Sequence, residues 1–229
     1  MRLIAHLHPL SSYCQKLTIG LRELGVPFET RTPDLMDPDA RAAYAALWPT
    51  AKIPLLQHGE RVVPETSIQL EYAQRLAPDG ARLIPAEAEA ALEARLMDRL
   101  FDAYVMTPMQ AFVADILRPE AERDPRALPD ARATLAMSYA MLDGRLAGRT
   151  WAAGDAFTIA DCAAAPALFY SGVVAPWPKT LATLDAYFER LLTRPSVRQA
   201  LAEAQPFFDM YPFRDSMPDR FRRGDFGAA

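Results

Sequence analysis

An α+β domain followed by an all-helical domain is the fold class this sequence predicts, and three observations predict it. Over roughly the first third of the 229 residues, short strand-like runs alternate with helical ones. Pro78-Asp79-Gly80 then interrupts the pattern, and Pro85 closes the interruption. Beyond it the chain carries Ala- and Leu-rich stretches at helical spacing and no convincing strand alternation. The domains expected are therefore 1–78 and 86–229, the second ending in an aromatic tail from about Gln205.

Each element has its own local reason. Leu3 to Leu7 reads as a buried strand. Tyr13, Leu17, Leu21 and Leu24 recur at helical spacing until Gly25-Val26-Pro27 stops them. Phe28 to Thr32 is a second strand, and a β-α-β unit this short favours a parallel pair with a right-handed crossover. Arg41 to Leu47 predicts a short helix ahead of Trp48-Pro49. Pro54 to His58 and Arg61 to Val63 flank Gly59-Glu60 as a hairpin. A helix from Thr66 to about Leu76 puts Ile68, Tyr72 and Leu76 on one face. The order β-α-β-α-β-β-α is that of a thioredoxin-like domain.

After the break, helices are expected over 87–112, 129–146, 159–170, 181–192 and 196–204. Thr107-Pro108-Met109 interrupts the first, because proline lacks an N–H and clashes with the preceding turn; a kink or an end is expected there. The tail combines Phe207, Phe208, Tyr211, Phe213, Phe221 and Phe226 with several arginines. It is too aromatic for a disordered segment and is expected to fold back on the body.

Composition narrows the function. A net charge of −4 argues against nucleic acid or an anionic membrane as the main partner. Cys14 and Cys162 form no disulfide framework, and no apolar run matches a signal peptide or membrane span. A soluble, cytoplasmic protein is expected. His6, His8 and His58 lack metal-ligand spacing, so no metal is expected.

Three segments carry chemistry. Ile53-Pro54 opens a strand; proline narrows the trans preference to about 0.5–1 kcal/mol, so a cis bond is accessible. Such a strand start can present its backbone to an extended thiol peptide, or simply begin a strand. Glu65-Thr66 follows at the amino end of the next helix, where free N–H groups favour an anion. Thr66 suits a carboxylate and Glu65 a nearby ammonium, the two charges a γ-glutamyl group carries on one carbon; the plainer reading is a helix cap. Ser11-Ser12-Tyr13-Cys14 lies between the first strand and first helix. A hydroxyl there either caps the helix or donates to a bound thiol and favours its thiolate.

Together Ser11-Ser12-Tyr13-Cys14, Lys52-Ile53-Pro54 and Pro64-Glu65-Thr66-Ser67-Ile68 resemble glutathione transferase elements in order and spacing. Trp151 to Asp161 resembles the family's signature before its central buried helix, where Thr158 and Asp161 form a capping-box-like pair. Arg194-Pro195-Ser196-Val197 resembles the start of a late helix. The likeness spans nearly everything to about Ala204.

That resemblance implies a cytosolic, serine-type glutathione S-transferase acting on a small hydrophobic electrophile, with glutathione as co-substrate and a homodimeric assembly. Ser11 matches the catalytic serine, with Ser12 beside it. Ile53 at cis-Pro54 would meet the cysteinyl unit, Glu65 and Thr66 the γ-glutamyl end, and Lys52 the glycyl carboxylate. Tyr13, Tyr104, Met109 and Phe112 would line the electrophile pocket, although a Met and aromatic stripe is equally ordinary core. Asp161 and Cys162 would be structural. Two features depart from the pattern: Trp48-Pro49-Thr50-Ala51-Lys52 replaces the common Asn-Pro-x-Gly-Lys, and Ser11-Ser12-Tyr13-Cys14 echoes a glutaredoxin Cys-Pro-Tyr-Cys with serine as its first residue. A non-catalytic adaptor and a glutathione-dependent thiol reductase or isomerase are the other readings.

Overall fold

The computed structural model describes residues 2–226. Its first part is a four-stranded mixed sheet with helices on its faces: β1 (Leu3–His6), α1 (Ser12–Glu23), β2 (Glu29–Arg31), α2 (Pro38–Ala45), β3 (Leu55–His58), β4 (Arg61–Val63) and α3 (Thr66–Gln74). The strand order is β2-β1-β3-β4. β1 and β2 run parallel, with Ala5 opposite Thr30, as the short crossover requires. β3 is antiparallel to both neighbours and places Leu56 opposite Ala5 and Val63. The small mixed sheet with flanking helices is a thioredoxin-like arrangement.

Helices make up the rest: α4 (Ala88–Leu100), α5 (Thr107–Leu117), α6 (Ala127–Leu146), α7 (Ile159–Val174), α8 (Ala182–Thr193), α9 (Pro195–Ala204) and α10 (Asp219–Arg222). Thr158 and Asp161 cap α7 reciprocally. The buried Asp161 carboxylate also accepts from the Ala152 N–H at 2.8 Å and the Tyr187 hydroxyl at 2.6 Å, which makes it a structural hub. No helix among the described residues is long and apolar enough to cross a membrane.

The expected break at Thr107-Pro108-Met109 takes the form of a π-helical turn that ends at Met106. Phe101–Met106 forms a π-helical turn joining α4 to α5, and Pro108 sits in the first turn of α5. The extra residue lets the Thr107 N–H reach the Asp102 carbonyl, one residue beyond the α-helical acceptor. Proline needs no donor in a first turn, so the chain widens just before it and continues.

Helix α1 is the axle of the molecule, packed against α3, α7 and α9. Gly20 permits its closest approach: a Cβ there would lie 2.3 Å from a Leu70 methyl. Buried beside it is a charged cluster. The Lys16 ammonium lies 2.7 Å from an Asp98 oxygen and 2.7 Å from an Asp102 oxygen, and donates to Ser67 Oγ at 2.9 Å. Ser67 in turn donates to Asp98 at 2.6 Å. Burial opposes the ammonium, but the two carboxylates override it and raise its pKa. The tail packs back as expected, burying Phe208, Tyr211, Met217, Phe221 and Phe226.

Candidate active site

The loop that introduces α1 is held from several sides. The Ser11 N–H donates to the His8 carbonyl at 3.0 Å, and the Leu10 N–H donates to His8 Nδ1 at 3.2 Å. From the helical part, the Tyr170 hydroxyl donates to the Leu10 carbonyl at 2.8 Å. Gln15 Nε2 donates both to Pro9 O and to the Tyr170 oxygen. A loop tied at so many points is rigid, which suits a side chain that must be placed accurately.

Ser11 occupies the N-cap of α1, yet its hydroxyl makes no capping bond. It is half-buried, within hydrogen-bonding reach of the Cys14 thiol. Ser12 is more deeply buried, and its oxygen accepts from Gln110 Nε2 at 3.4 Å. Cys14 is fully buried, and burial pushes its thiol up to about 12.

Two cavities meet beside this loop. The first, about 610 Å³, is mixed in character and is bounded by Tyr13, Lys52, Ile53, Pro54, Glu65 and Thr66, with Trp48, Thr50, Ser67, Arg99, Asp102 and Gln110 among the rest of its wall. The Ile53-Pro54 bond is cis, and Thr66 opens α3 at the cavity edge. Glu65 has φ 62° and Ala51 φ 49°, left-handed conformations that cost a residue with a Cβ about 1–3 kcal/mol. Ala51 stands where the family's loop commonly has glycine, and adopts a glycine-like φ all the same. Lys52 and Arg99 offer cations, Glu65 and Asp102 anions, and an α-helix N-terminus offers free N–H groups. That set matches a zwitterion with further carboxylates. Burial and the nearby Asp102 raise the Tyr13 phenol, so it stays protonated at neutral pH.

The second cavity, about 680 Å³, is almost wholly apolar. It is lined by Leu10, Ile53, Met109, Val113, Ala114 and Leu117, by Tyr170, Met210, Tyr211 and Pro212, and by Ser11, Ser12, His8, Met36 and Gln110. Ile53 and Gln110 belong to both cavities, so the two are contiguous. Burial lowers the His8 pKa, keeping it neutral at physiological pH.

The predicted residues thus divide. Lys52, Ile53, Pro54, Glu65, Thr66 and Tyr13 meet around the polar cavity, while Ser11, Ser12 and Met109 face the apolar one. Tyr104 lies exposed on the π turn, and Phe112 is buried in the core edge-on to Phe213; neither lines either cavity. Gln110, Arg99 and Asp102 were not singled out from the sequence, and Tyr211 was named only as part of the aromatic tail.

A thioredoxin-like sheet joined to a helical bundle, with a polar and an apolar cavity meeting at the amino end of α1, defines a two-domain, two-cavity class of protein. The family model for the glutathione S-transferase N-terminal domain matches residues 10–76, and that for the C-terminal domain matches residues 97–195. Glutathione S-transferase 3 of Zea mays is 30% identical over 208 residues, covering 85% of this chain and 90% of that one. A glutathione S-transferase of Xanthomonas campestris is 28% identical over 191 residues, 80% of this chain and 90% of that one. The crystal structure of a glutathione S-transferase from Methylobacterium radiotolerans, complexed with glutathione sulfonate, superposes with TM-score 0.76 at 27% identity, covering 87% of this chain and 94% of that one. The chain belongs to the glutathione S-transferase family.

Proposed function

We propose that this protein binds glutathione in the polar cavity, holds its thiol as thiolate at Ser11, and delivers it to a small hydrophobic electrophile in the apolar cavity. The observation that carries the reading is the junction: a charged cavity and an apolar one share Ile53 and Gln110 beside the Ser11 hydroxyl, which is not spent on capping α1. Glu65 takes the γ-glutamyl ammonium, Thr66 and the α3 N-terminus its carboxylate, and Lys52 the glycyl carboxylate. Attack by a thiolate rather than a thiol is the chemical gain, because only the anion is a strong nucleophile.

Calorimetric titration of reduced glutathione tests the binding half. Wild type is expected to show one saturable site per chain, weakened by about tenfold or more in Glu65→Ala and in Thr66→Ala, since each loses a charge-assisted contact worth about 1.5–3 kcal/mol. No saturation at millimolar glutathione would overturn the enzyme reading and favour a glutathione-independent adaptor.

We further propose a homodimer. Ile68 on α3, Leu92 and Leu96 on α4 and Tyr104 on the π turn are exposed, and Leu92 and Leu96 share one helix face. Light scattering should give twice the chain mass for wild type, and the chain mass for a Leu92→Lys, Leu96→Lys double variant. A monomeric wild type at micromolar concentration removes this proposal. A cytoplasmic location fits both free cysteines and the supply of reduced glutathione; cell fractionation tests it, and recovery outside the cytoplasm would refute it.

A further inference from the structure

Met36 and Met210 line the apolar cavity, one from the loop before α2 and the other from the tail. Asp34 Oδ1 accepts from the Met36 N–H at 3.0 Å and from the Asp37 N–H at 3.3 Å. Met210 ends a short helical turn, Gln205–Met210. The next ring, Tyr211, packs edge-on against Tyr170 and Phe213, with centroids 5.2 and 5.9 Å away. Both backbones are thus anchored, while the side chains reach into solvent: Met36 is 92% exposed and Met210 66%. Side chains that line a cavity and are this exposed stand at its mouth.

The other described methionines separate these two properties. Met109 lines the same cavity but is buried, and Met97, Met106 and Met217 are buried away from it. Met141 is partly buried against the core. Met137, on α6, is 53% exposed and lines neither cavity. Met36 and Met210 alone among the described methionines are both open to a solute and part of a cavity wall. A thioether is an apolar group that a peroxide converts into a polar one. The cysteines do not compete for the oxidant, since Cys14 and Cys162 are fully buried and burial holds both thiols protonated. Leu10, Val113, Leu117 and Pro212 share the wall, which holds no carboxylate or cation among the described residues. A sulfoxide oxygen introduced there keeps its water only while the mouth is empty. An apolar occupant strips that water and offers no hydrogen bond in return.

We propose that Met36 and Met210 form a redox modification site: hydroperoxides oxidise the two thioethers to sulfoxides, and the polar mouth then binds apolar electrophiles more weakly. The modification stands on exposure; its consequence rests on the reading of the apolar cavity given above. With hydrogen peroxide, the sulfur lone pair attacks one peroxide oxygen, so that the S–O bond forms as the O–O bond breaks. Sulfur is oxidised and the peroxide reduced. The departing hydroxide takes the proton from the sulfur-bound oxygen and leaves as water. A thiol-dependent sulfoxide reductase reverses the change: two thiols become a disulfide and the oxygen leaves as water.

The test treats the protein with hydrogen peroxide, removes the excess with catalase, and assays conjugation of chlorodinitrobenzene, an uncharged aryl halide. Peptide mass spectrometry should find an added oxygen on Met36, Met137 and Met210 and none on the buried methionines. KM for chlorodinitrobenzene should rise about tenfold, with kcat and glutathione affinity within about twofold. Methionine sulfoxide reductases for both sulfoxide epimers, with dithiothreitol, should restore it. Leucine keeps the apolar bulk, so a Met36→Leu, Met210→Leu double variant should hold its own untreated KM through the same treatment. Met137→Leu should stay as sensitive to peroxide as wild type. Oxidation confined to Met137 overturns the proposal, as does an unchanged KM once Met36 and Met210 carry oxygen, or an equal rise in the double variant. A protein that conjugates equally well before and after peroxide refutes this inference alone. One that conjugates nothing before treatment refutes the underlying reading and this consequence with it, and the peptide masses still decide the modification.

Discussion

Ser11→Ala is expected to lower kcat/KM for glutathione conjugation by about 100-fold, while glutathione still binds with affinity within about threefold of wild type. In the proposed arrangement binding rests on Glu65, Thr66 and Lys52, which line the polar cavity, whereas Ser11 lines the apolar one. On the proposed reading, what the variant loses is a donor to the sulfur. The bound thiol's pKa, read from thiolate absorbance against pH, should rise toward the free value of about 8.5, each unit amounting to about 1.4 kcal/mol. Cys14→Ala is the counterpart and should keep activity, because that thiol is buried and pushed up to about 12. The reverse pattern, activity surviving Ser11→Ala and vanishing with Cys14→Ala, would establish the thiol reductase. Substituting Ser12 should act differently again, through Gln110 and the junction of the two cavities.

Lys16→Met should destabilise the fold by about 3–5 kcal/mol in urea unfolding. The ammonium is fully buried between Asp98 and Asp102, whose side chains are 3% and 6% exposed. Removing it leaves two buried carboxylates facing each other, offset only by the Ser67 hydroxyl on Asp98 and the largely exposed Arg99 on Asp102, a worse state than having no charges at all. Adding Asp98→Asn and Asp102→Asn to Lys16→Met should therefore recover much of the loss. A cost below about 1 kcal/mol for the single variant would mean that water or relaxation already compensates the carboxylates. The sign of the pH dependence follows from the raised pKa of Lys16. Its contribution is fully present below the unfolded value of about 10.5 and disappears only as pH climbs through the higher folded value. Stability near neutral pH should not respond to this group. The cluster also reaches the site, since Asp102 lines the polar cavity and Ser67 follows Thr66 directly. Glutathione affinity should weaken in the single variant along with stability.

Most of the secondary structure was legible because its signals are local. Helical spacing, Gly25-Val26-Pro27 and the Gly59-Glu60 turn each act within a few residues. Helices α6 to α9 accordingly begin and end close to where periodicity placed them, α7 running on to Val174. Pro108 marked the interruption of the first long helix, but its form was not legible. A proline is damaging only where a donor is required, and the π turn shifts the hydrogen-bond register so that it falls in a first turn.

Within the site, the residues that declared themselves do so through sequence-local chemistry: Ile53-Pro54 at a strand start, Glu65-Thr66 at a helix start, Ser11 between strand and helix. The sequence by itself determined that these backbone features exist, because strand starts and helix termini are set by neighbours in the chain. Only the tertiary structure decided which side chains meet. Lys16 and Asp102 stand 86 residues apart, and Ser12 and Gln110 stand 98 apart. The stripe of Tyr104, Met109 and Phe112 is one helical pattern with three fates: exposed, cavity-lining and buried. Periodicity says that a face is apolar; what packs against that face decides whether it becomes core, cavity or interface.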